Sequence, residues 1–287
     1  MSRIFRTATL KGALVICWSS GFIGAVLATE THSIYSVLFW RFVLAAILLL
    51  PFIVAYLQRP FWGALALQSL VGAFAMFGYL ATGVAAIDLG VPAGTAALIG
   101  SLQPLSTAAI SSLLMGEKIY KIQWIGLLFG LVGVAIAIGS ELSAVPYWGF
   151  VLSIVSMMSI VAASLIAKYS KQSLPLLPTL AVHCMVSAGL FFVLAVIEGT
   201  AAPQLDSGFW MAVTWFVLFS TIGAYGCYWL CLRETSATNV ASLIYLTPPV
   251  TMIWSWLMFG ETISLSFIVG FGLCIFGVLL AGRTREV

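Results

Sequence analysis

Arg41 stands out first for its chemistry, because it lies in an apolar run, "SVLFWRFVLAAILLL", at residues 36–50. A guanidinium stays charged in proteins, and a charged side chain at the centre of a bilayer costs about 2.5–3.5 kcal/mol on insertion scales. Three roles are open for Arg41. It could snorkel or bind backbone carbonyls of neighbouring helices, attract a carboxylate by a bidentate contact, or form a gating ion pair with Glu30 or Asp88.

Other polar and aromatic side chains also lie well inside apolar runs. The polar ones precede two prolines: Ser101 and Gln103 come before Pro104, and Tyr245 and Thr247 before Pro248. An unpaired amide in hydrocarbon is unfavourable, so Gln103 should face water, another helix or a ligand. The aromatic ones are Trp18, Phe74, Tyr79, Tyr225 and Tyr228. Each could pack against a helix or line a pocket, and together they indicate an apolar cavity with scattered hydroxyl and amide groups.

The composition decides which elements position these residues. Of the 287 residues, 62% are hydrophobic and 7% are charged, whereas soluble domains carry about 25% charged residues. Long apolar runs of this kind predict an all-α integral membrane protein. There is no Walker loop, HExxH or GxSxG motif, and the five cysteines lie in apolar runs as small buried hydrophobes. We therefore expect no cofactor, no metal site and no enzyme activity.

Apolar runs bounded by polar turns predict ten transmembrane helices. The predicted spans are 9–28, 34–56, 62–84, 91–115, 120–140, 146–169, 175–198, 208–232, 237–258 and 264–282. The first run is expected to remain as a helix rather than to be cleaved as a signal peptide, because it is long for a signal region and the repeat described below requires it.

The distribution of charge predicts the orientation. In a ten-span topology every Lys and Arg except Arg41 falls on one side of the membrane, and the acidic residues Glu30, Asp88, Glu141, Glu198, Asp206 and Glu261 fall on the other. Under the positive-inside rule both termini are then cytoplasmic. The predicted location is a plasma membrane, the inner membrane in bacteria.

The chain also contains an internal repeat. At a constant offset of 144 between residues 96–134 and 240–278, Pro104 matches Pro248, Gly116-Glu117 matches Gly260-Glu261, and Gly133-Val134 matches Gly277-Val278. We interpret residues 1–145 and 146–287 as two copies of a five-helix unit. Because five is odd, the copies have opposite orientations, which is typical of alternating-access transporters with a site near the midplane.

These residues resemble a known family. A proline, a Gly-Glu pair ending thirteen residues later and a glycine-ridged helix, given twice, look like the EamA-type drug/metabolite transporter superfamily. The Arg in the second span and "CWSSGF" in the first also fit, and within the superfamily the chain resembles the YddG amino-acid exporters most. The resemblance implies a ten-helix basket around a central cavity and export of small metabolites.

The repeat gives Arg41 an equivalent residue. Aligning "SVLFWRFVLAAILL" with "PTLAVHCMVSAGLF" places Arg41 on His183, and each lies about seven residues, roughly 10 Å, into its span. His183 could be a neutral histidine bonded to a carbonyl, or a proton-coupling group, since histidine titrates near neutral pH.

Three further features have more than one interpretation. Pro104 and Pro248 could be hinges for gating or static bends, and we favour hinges because they recur in both copies. Glu117 and Glu261 could be functional acids, but both lie in turns at membrane edges and we favour caps on the following helices. The glycine ridges at 126–133 and 270–277 should pack closely, either within the chain or against another protomer.

The sequence thus predicts a secondary transporter or facilitator that exports amino acids, with apolar or aromatic side chains favoured, or similar small metabolites. The alternatives are a proton-coupled exporter of drugs or other metabolites, an intramembrane enzyme and a non-transporting sensor. Expected partners are the small-molecule substrate and membrane lipid, with no nucleic acid; a monomer is favoured and a dimer is possible. The predicted cavity residues are Trp18, Arg41, Phe74, Tyr79, Ser101, Gln103, His183 and Tyr245, with Pro104 and Pro248 as the gating residues.

Overall fold

The computed structural model describes residues 3–29, 33–54, 62–91, 96, 99–115, 120–138, 146–170, 174–259 and 265–282. These residues are almost entirely helical and contain no strand. The helices are α1 (Arg3–Thr29), α2 (Ile34–Val54), α3 (Trp62–Asp88), α4 (Gln103–Met115), α5 (Lys121–Ile138), α6 (Tyr147–Tyr169), α7 (Leu176–Ile197), α8 (Ser207–Glu234), α9 (237–259) and α10 (Leu265–Gly282).

Within the described part of the chain, six helices are long and apolar enough to cross a membrane. They are α1, α2, α3, α6, α7 and α8. Shorter apolar helices occur at Lys121–Gly133 and Ile268–Gly277, inside α5 and α10. The chain is therefore a multi-pass membrane protein. The acidic residues Glu30, Glu117, Glu141 and Glu261, to which the sequence assigns capping, pairing or topological roles, lie outside the described residues.

Two of the long helices contain a π-helical segment at matching places. In α3 the segment is Ala73–Gly78, and in α8 it is Phe216–Tyr225. α8 itself begins after Asp206, whose carboxylate accepts a hydrogen bond of 2.9 Å from the backbone N–H of Phe209. A π-helical turn displaces the side chains that follow it and is frequent at functional sites.

The two prolines that match in the repeat each follow an interruption of the α-helical hydrogen-bonding pattern, and for Pro104 this corrects the expected position in the middle of a helix. Ser101 and Leu102 form a turn, and α4 begins at Gln103, so Pro104 is in the first turn of that helix. In α9 a 3-10 segment, Ile244–Leu246, is followed by an α-helical segment that begins at Thr247. Pro248 therefore lies inside α9, where the 3-10 segment changes to α-helix.

Two helix pairs pack along each other, one through aromatic rings and the other through glycines. α2 packs along α7, and the rings of Phe42 and Phe191 stack there with centroids 5.7 Å apart. α5 packs along α10, where a Cβ on Gly277 would meet the backbone of Gly126 and Gly130. The glycine ridges of α5 and α10 therefore pack against each other within the chain.

The remaining helix contacts arrange four helices around the middle of the molecule. α1 packs against α8 and α9, and α6 packs against α3 and α4. At the first of these contacts the Trp215 indole donates to the Ser20 carbonyl at 3.0 Å, and a Cβ on Gly24 would lie 2.9 Å from the Phe216 ring. α1, α3, α6 and α8 consequently surround a common space.

Candidate functional site

A cavity of about 740 Å³, its open mouth included, lies between α1, α3, α6 and α8. Its wall comes from the second halves of α1 and α3, the first half of α6 and the middle of α8, with Ala96 and Gly100 between α3 and α4. The lining is mostly apolar, and its polar side chains are Ser153, Ser156, Ser220, Tyr79, Tyr225 and Trp18. A largely apolar cavity with a few hydroxyl groups is suited to a small solute with an apolar body.

Trp18 is the centre of the aromatic part of the wall. Its ring centroid lies 6.0 Å from Tyr79, 5.4 Å from Tyr225 and 5.0 Å from Tyr228. These rings come from α1, α3 and α8, so the cluster joins three of the four helices around the cavity. Tyr225 is anchored by its hydroxyl, which donates to the Ala75 carbonyl in the π-helical segment of α3 at 2.9 Å.

A buried hydrogen-bond network lies behind Trp18, at the side of Tyr228. The Gln103 amide donates to the Tyr228 hydroxyl at 3.1 Å, and Ser164 also bonds that hydroxyl. Gln103 and Tyr228 are buried, and neither lines the cavity. α4, α6 and α8 therefore meet through polar side chains at this end, which satisfies the amide that the sequence places in the membrane.

Arg41 is fully buried directly behind the cavity wall. Its Nε donates to Thr221 Oγ1 at 2.8 Å and its Nη2 to Ser220 Oγ at 3.0 Å, and Ser220 lines the cavity. Its Cζ lies 4.7 Å from the ring centroids of both Phe42 and Phe216. Cation–π contacts of this kind are most favourable when they are desolvated.

The charge of Arg41 has no counter-charge among the described residues. Asp88 is exposed at the end of α3 and does not pair with it, and Glu30 lies outside the described residues. Its Nη1 is buried without a hydrogen-bond partner. An uncompensated guanidinium in a buried site is unfavourable, so the site favours an anion nearby.

His183 lies away from the cavity, between α7 and α3. Its Nε2 is 3.0 Å from Gln68 Oε1, its ring centroid is 5.3 Å from Trp229, and a Cβ on Gly72 would meet its backbone at 2.7 Å. The partner is thus a side-chain amide rather than a backbone carbonyl. The His183 side chain is fully buried, and its Nδ1 has no hydrogen-bond partner among the described residues.

The other sequence-predicted residues divide between the wall and the packing. Trp18 and Tyr79 line the cavity. Phe74 is 39% exposed on the outside of α3, and Ser101 is buried in the turn before α4. Tyr245 is buried against α5, where its hydroxyl donates to the Leu127 carbonyl at 3.1 Å and its ring covers Gly130. The structure therefore brings Arg41, Trp18 and Tyr79 together around one cavity.

Several wall residues could not be selected from the sequence. Ser153, Ser156 and Met157 of α6 and Phe216 and Ser220 of α8 all line the cavity. The only signal in the sequence was the spacing of serines along α6 and the adjacent hydroxyls of Ser220 and Thr221 in an otherwise apolar run.

Comparison with known proteins agrees with this architecture. The model of the EamA-like transporter family matches residues 11–139 and 147–283. The Escherichia coli protein named "Uncharacterized inner membrane transporter YedA" is 31% identical over 278 residues, covering 93% of this chain and 88% of that protein. The "Probable amino-acid metabolite efflux pump" of Salmonella typhimurium is 25% identical over 199 residues, covering 66% and 67%. A solved crystal structure superposes with a TM-score of 0.79 at 17% identity, over 96% of both chains, and shares the fold.

Proposed function

The chain belongs to the EamA-like transporter family, and from that premise we propose that it exports amino acids or similar small metabolites by alternating access. Apolar and aromatic side chains are the favoured substrates. The observation that carries this proposal is the cavity itself, an apolar and aromatic space with three serine hydroxyls in its wall and the charged Arg41 directly behind it. The efflux-pump name of the Salmonella relative supports the direction of transport.

We further propose ten membrane crossings arranged as an inverted repeat of residues 1–145 and 146–287. The family model matches the chain twice, over 11–139 and 147–283, which supports two copies. The helix contacts support the same arrangement, because α1 packs on α8 and α9 in the way that α6 packs on α3 and α4. The π-helical segments of α3 and α8 also lie at equivalent positions.

With both termini cytoplasmic, the cavity lies in the outer half of the membrane. α1 and α3 then run outward and contribute their second halves. α6 and α8 run inward, and they contribute the first half of α6 and the middle of α8, so the cavity reaches the middle of the membrane. We propose that the buried network of Gln103, Tyr228 and Ser164 then lies on the inner side of Trp18 and separates the cavity from the cytoplasm; the hydrogen bonds that join α4, α6 and α8 there support this. The breaks before Pro104 and Pro248 are proposed as the points that move when the cavity changes sides.

Transport is proposed to be facilitated diffusion. No acidic residue is among the described residues that line the cavity, and His183 packs between α7 and α3 away from the wall. A proton-coupled carrier needs a group that exchanges protons along the solute path. The described residues of the cavity wall provide no such group.

The test is uptake of labelled phenylalanine into liposomes that contain the purified protein, with and without an imposed pH gradient. The proposal predicts saturable uptake at a rate that does not change with the pH gradient. The rate of uptake by His183→Gln, whose side chain can still bond Gln68, should also be independent of the gradient. Matched liposomes without protein are the control. A rate that follows the gradient in the wild type and loses that dependence in His183→Gln would contradict facilitated diffusion.

Absence of any saturable amino-acid uptake would contradict the proposed substrate class. The same liposomes, tested with apolar cations, would then examine the alternative of a drug exporter, for which the aromatic cluster around Trp18 is the supporting observation.

A further inference from the structure

Ser220 differs from the other hydroxyl groups of the cavity wall in the hydrogen bonds it makes. The Ser153 hydroxyl donates to the Gly149 carbonyl at 3.0 Å, and the Ser156 hydroxyl donates to the Tyr79 carbonyl at 2.5 Å. Ser220 instead accepts a hydrogen bond, from Nη2 of Arg41 at 3.0 Å. Two of the three wall serines therefore have their protons committed to the backbone, and the third has its oxygen committed to a guanidinium.

The π-helical segment of α8 accounts for this difference. In an α-helix a serine hydroxyl commonly donates to the carbonyl four residues earlier, as Ser19 does to Val15 at 2.8 Å and Ser153 does to Gly149. Ser220 lies within Phe216–Tyr225, where the backbone bonds run five residues back and the carbonyls are displaced. Among the described residues the Ser220 hydroxyl donates to no acceptor, so its proton is available to the cavity.

We propose that Ser220 is the direct contact for an organic anion in the cavity, a carboxylate attached to an apolar group. Arg41 is then a positioning residue that acts through Ser220 and does not touch the solute. This assignment rests on the proposed function and specifies its substrate class: the acid end of the solute faces α8, and its apolar body lies among Trp18, Tyr79 and Tyr225.

The charges and the burial of these groups support an arrangement in which Arg41 acts on the solute through Ser220. Arg41 is fully buried, has no counter-charge among the described residues, and is separated from the cavity by Ser220 and the Phe216 ring. A hydroxyl that accepts from a cation becomes a stronger donor, and hydrogen bonds in such a chain strengthen one another at low dielectric. A carboxylate at Ser220 would also supply the missing negative charge near the guanidinium.

The α6 side of the wall has the opposite hydrogen-bonding character. Because Ser153 and Ser156 donate to backbone carbonyls, only the lone pairs of their oxygens are available to the cavity. That side accepts hydrogen bonds, and the α8 side donates one. A carboxylate only accepts and therefore bonds the α8 side, whereas an amine that is protonated only donates and bonds the α6 side. A neutral amide can bond either side, but its oxygen accepts a weaker hydrogen bond from Ser220 than a carboxylate does.

The experiment measures binding of two ligands of nearly equal shape to the purified full-length protein. The probes are 3-phenylpropionate, which carries a carboxylate, and 3-phenylpropanamide, which is neutral. Binding is read from the concentration dependence of thermal stabilisation. The variant is Ser220→Ala. Thr221→Val is the first control, because it removes the other hydroxyl partner of Arg41 without altering the wall, and Ser153→Ala is the second, because it removes a wall hydroxyl that does not contact Arg41.

The proposal predicts that the wild type binds the carboxylate more tightly than the amide. Ser220→Ala should weaken binding of the carboxylate by about tenfold or more and that of the amide by clearly less, since a hydrogen bond to a charged group is stronger than one to a neutral oxygen. Thr221→Val and Ser153→Ala should retain the preference for the carboxylate. The two controls also show whether a loss in Ser220→Ala comes from a general effect on folding or on the wall.

Two results would overturn the assignment. One is a wild type that does not prefer 3-phenylpropionate over its amide, and the other is an undiminished preference in Ser220→Ala. Failure of the proposed function gives a different pattern: phenylalanine is not transported into liposomes, yet the carboxylate still binds and depends on Ser220. The anion contact would then stand, and the transported solute would be another apolar acid.

Discussion

Arg41 and Thr221 join the two halves of the chain through a buried hydrogen bond, with Nε of Arg41 donating to Thr221 Oγ1 at 2.8 Å. The residues are 180 positions apart, on α2 and α8, and both are fully buried. In the proposed repeat His183 is the equivalent of Arg41, but it bonds Gln68 of α3. Under that repeat, the helix contact carries a guanidinium beside α8 and an imidazole–amide pair beside α3.

Replacing Arg41 by methionine should separate the stability of the protein from its preference for acids. A methionine fills similar space between Phe42 and Phe216, and removal of an uncompensated buried charge is often neutral or stabilising. We expect the free energy of unfolding of Arg41→Met to change by less than about 2 kcal/mol while the preference for carboxylate ligands is lost. Thermal unfolding and ligand binding measure the two quantities. This prediction would be contradicted if Arg41→Met were largely unfolded while its remaining native fraction still preferred carboxylate ligands.

Replacing Trp18 by leucine should lower affinity for aromatic solutes more than for aliphatic ones. Trp18 contacts three tyrosine rings around the cavity, and each aromatic pair contributes roughly 0.5–1.5 kcal/mol beyond its buried area. We expect about tenfold weaker binding of phenylalanine relative to leucine in competition assays. Trp148→Leu is the matched control, because Trp148 is exposed at the start of α6. Equal losses for both solutes would show that Trp18 has no selective role.

Substitution of two glycines on α10 should have opposite effects on stability. A Cβ at Gly277 would meet the backbone of Gly126 and lie 2.7 Å from the nitrogen of Gly130, and backbone atoms cannot move aside. Gly277→Ala should therefore lower the free energy of unfolding by about 1–3 kcal/mol. A Cβ at Gly272 would meet no atom within 4 Å, so Gly272→Ala should be neutral or should raise the free energy of unfolding by about 0.5–1 kcal/mol. Thermal unfolding in detergent compares them, and equal melting temperatures would refute close packing of α5 on α10.

The bond between Gln103 and Tyr228 should appear as an energetic coupling. Tyr228→Phe leaves the Gln103 amide without this acceptor, and Gln103→Leu leaves the Tyr228 hydroxyl bonded to Ser164 alone. Each single change should destabilise the fold, and the double variant should lose less than the sum, with a coupling energy of about 1 kcal/mol. A double-mutant cycle on thermal unfolding measures this. Strict additivity would show that the contact contributes nothing.

The sequence predicts most of the helices well because their ends coincide with changes in hydropathy. The predicted spans 34–56 and 175–198 correspond to Ile34–Val54 and Leu176–Ile197, which places Arg41 and His183 seven residues into their helices as expected. The predicted span 91–115 fails where a turn at Ser101 and Leu102 precedes α4. Apolar periodicity does not reveal such a break, since the side chains on both sides of it are equally hydrophobic.

The site was less predictable than the fold, for a reason that concerns the backbone. Trp18 and Tyr79 could be proposed as wall residues because large aromatic groups deep in a membrane helix need a partner. The proposed role of Ser220 could not be predicted from the sequence, because a serine in an apolar helix normally bonds its own backbone. The π-helical segment changes that, and it has no recognisable signature in "FVLFSTIGAY".

Passage of the solute through the cavity is tested most directly by obstructing the cavity. Ala25 lines it on α1, and Ala66 lies on the exposed side of α3, so Ala25→Trp should obstruct the cavity and Ala66→Trp should not. The measurement is the initial rate of labelled phenylalanine uptake into liposomes containing each variant, at equal amounts of folded protein. We predict loss of saturable uptake in Ala25→Trp and a wild-type rate in Ala66→Trp. A wild-type rate in Ala25→Trp would contradict transport through this cavity.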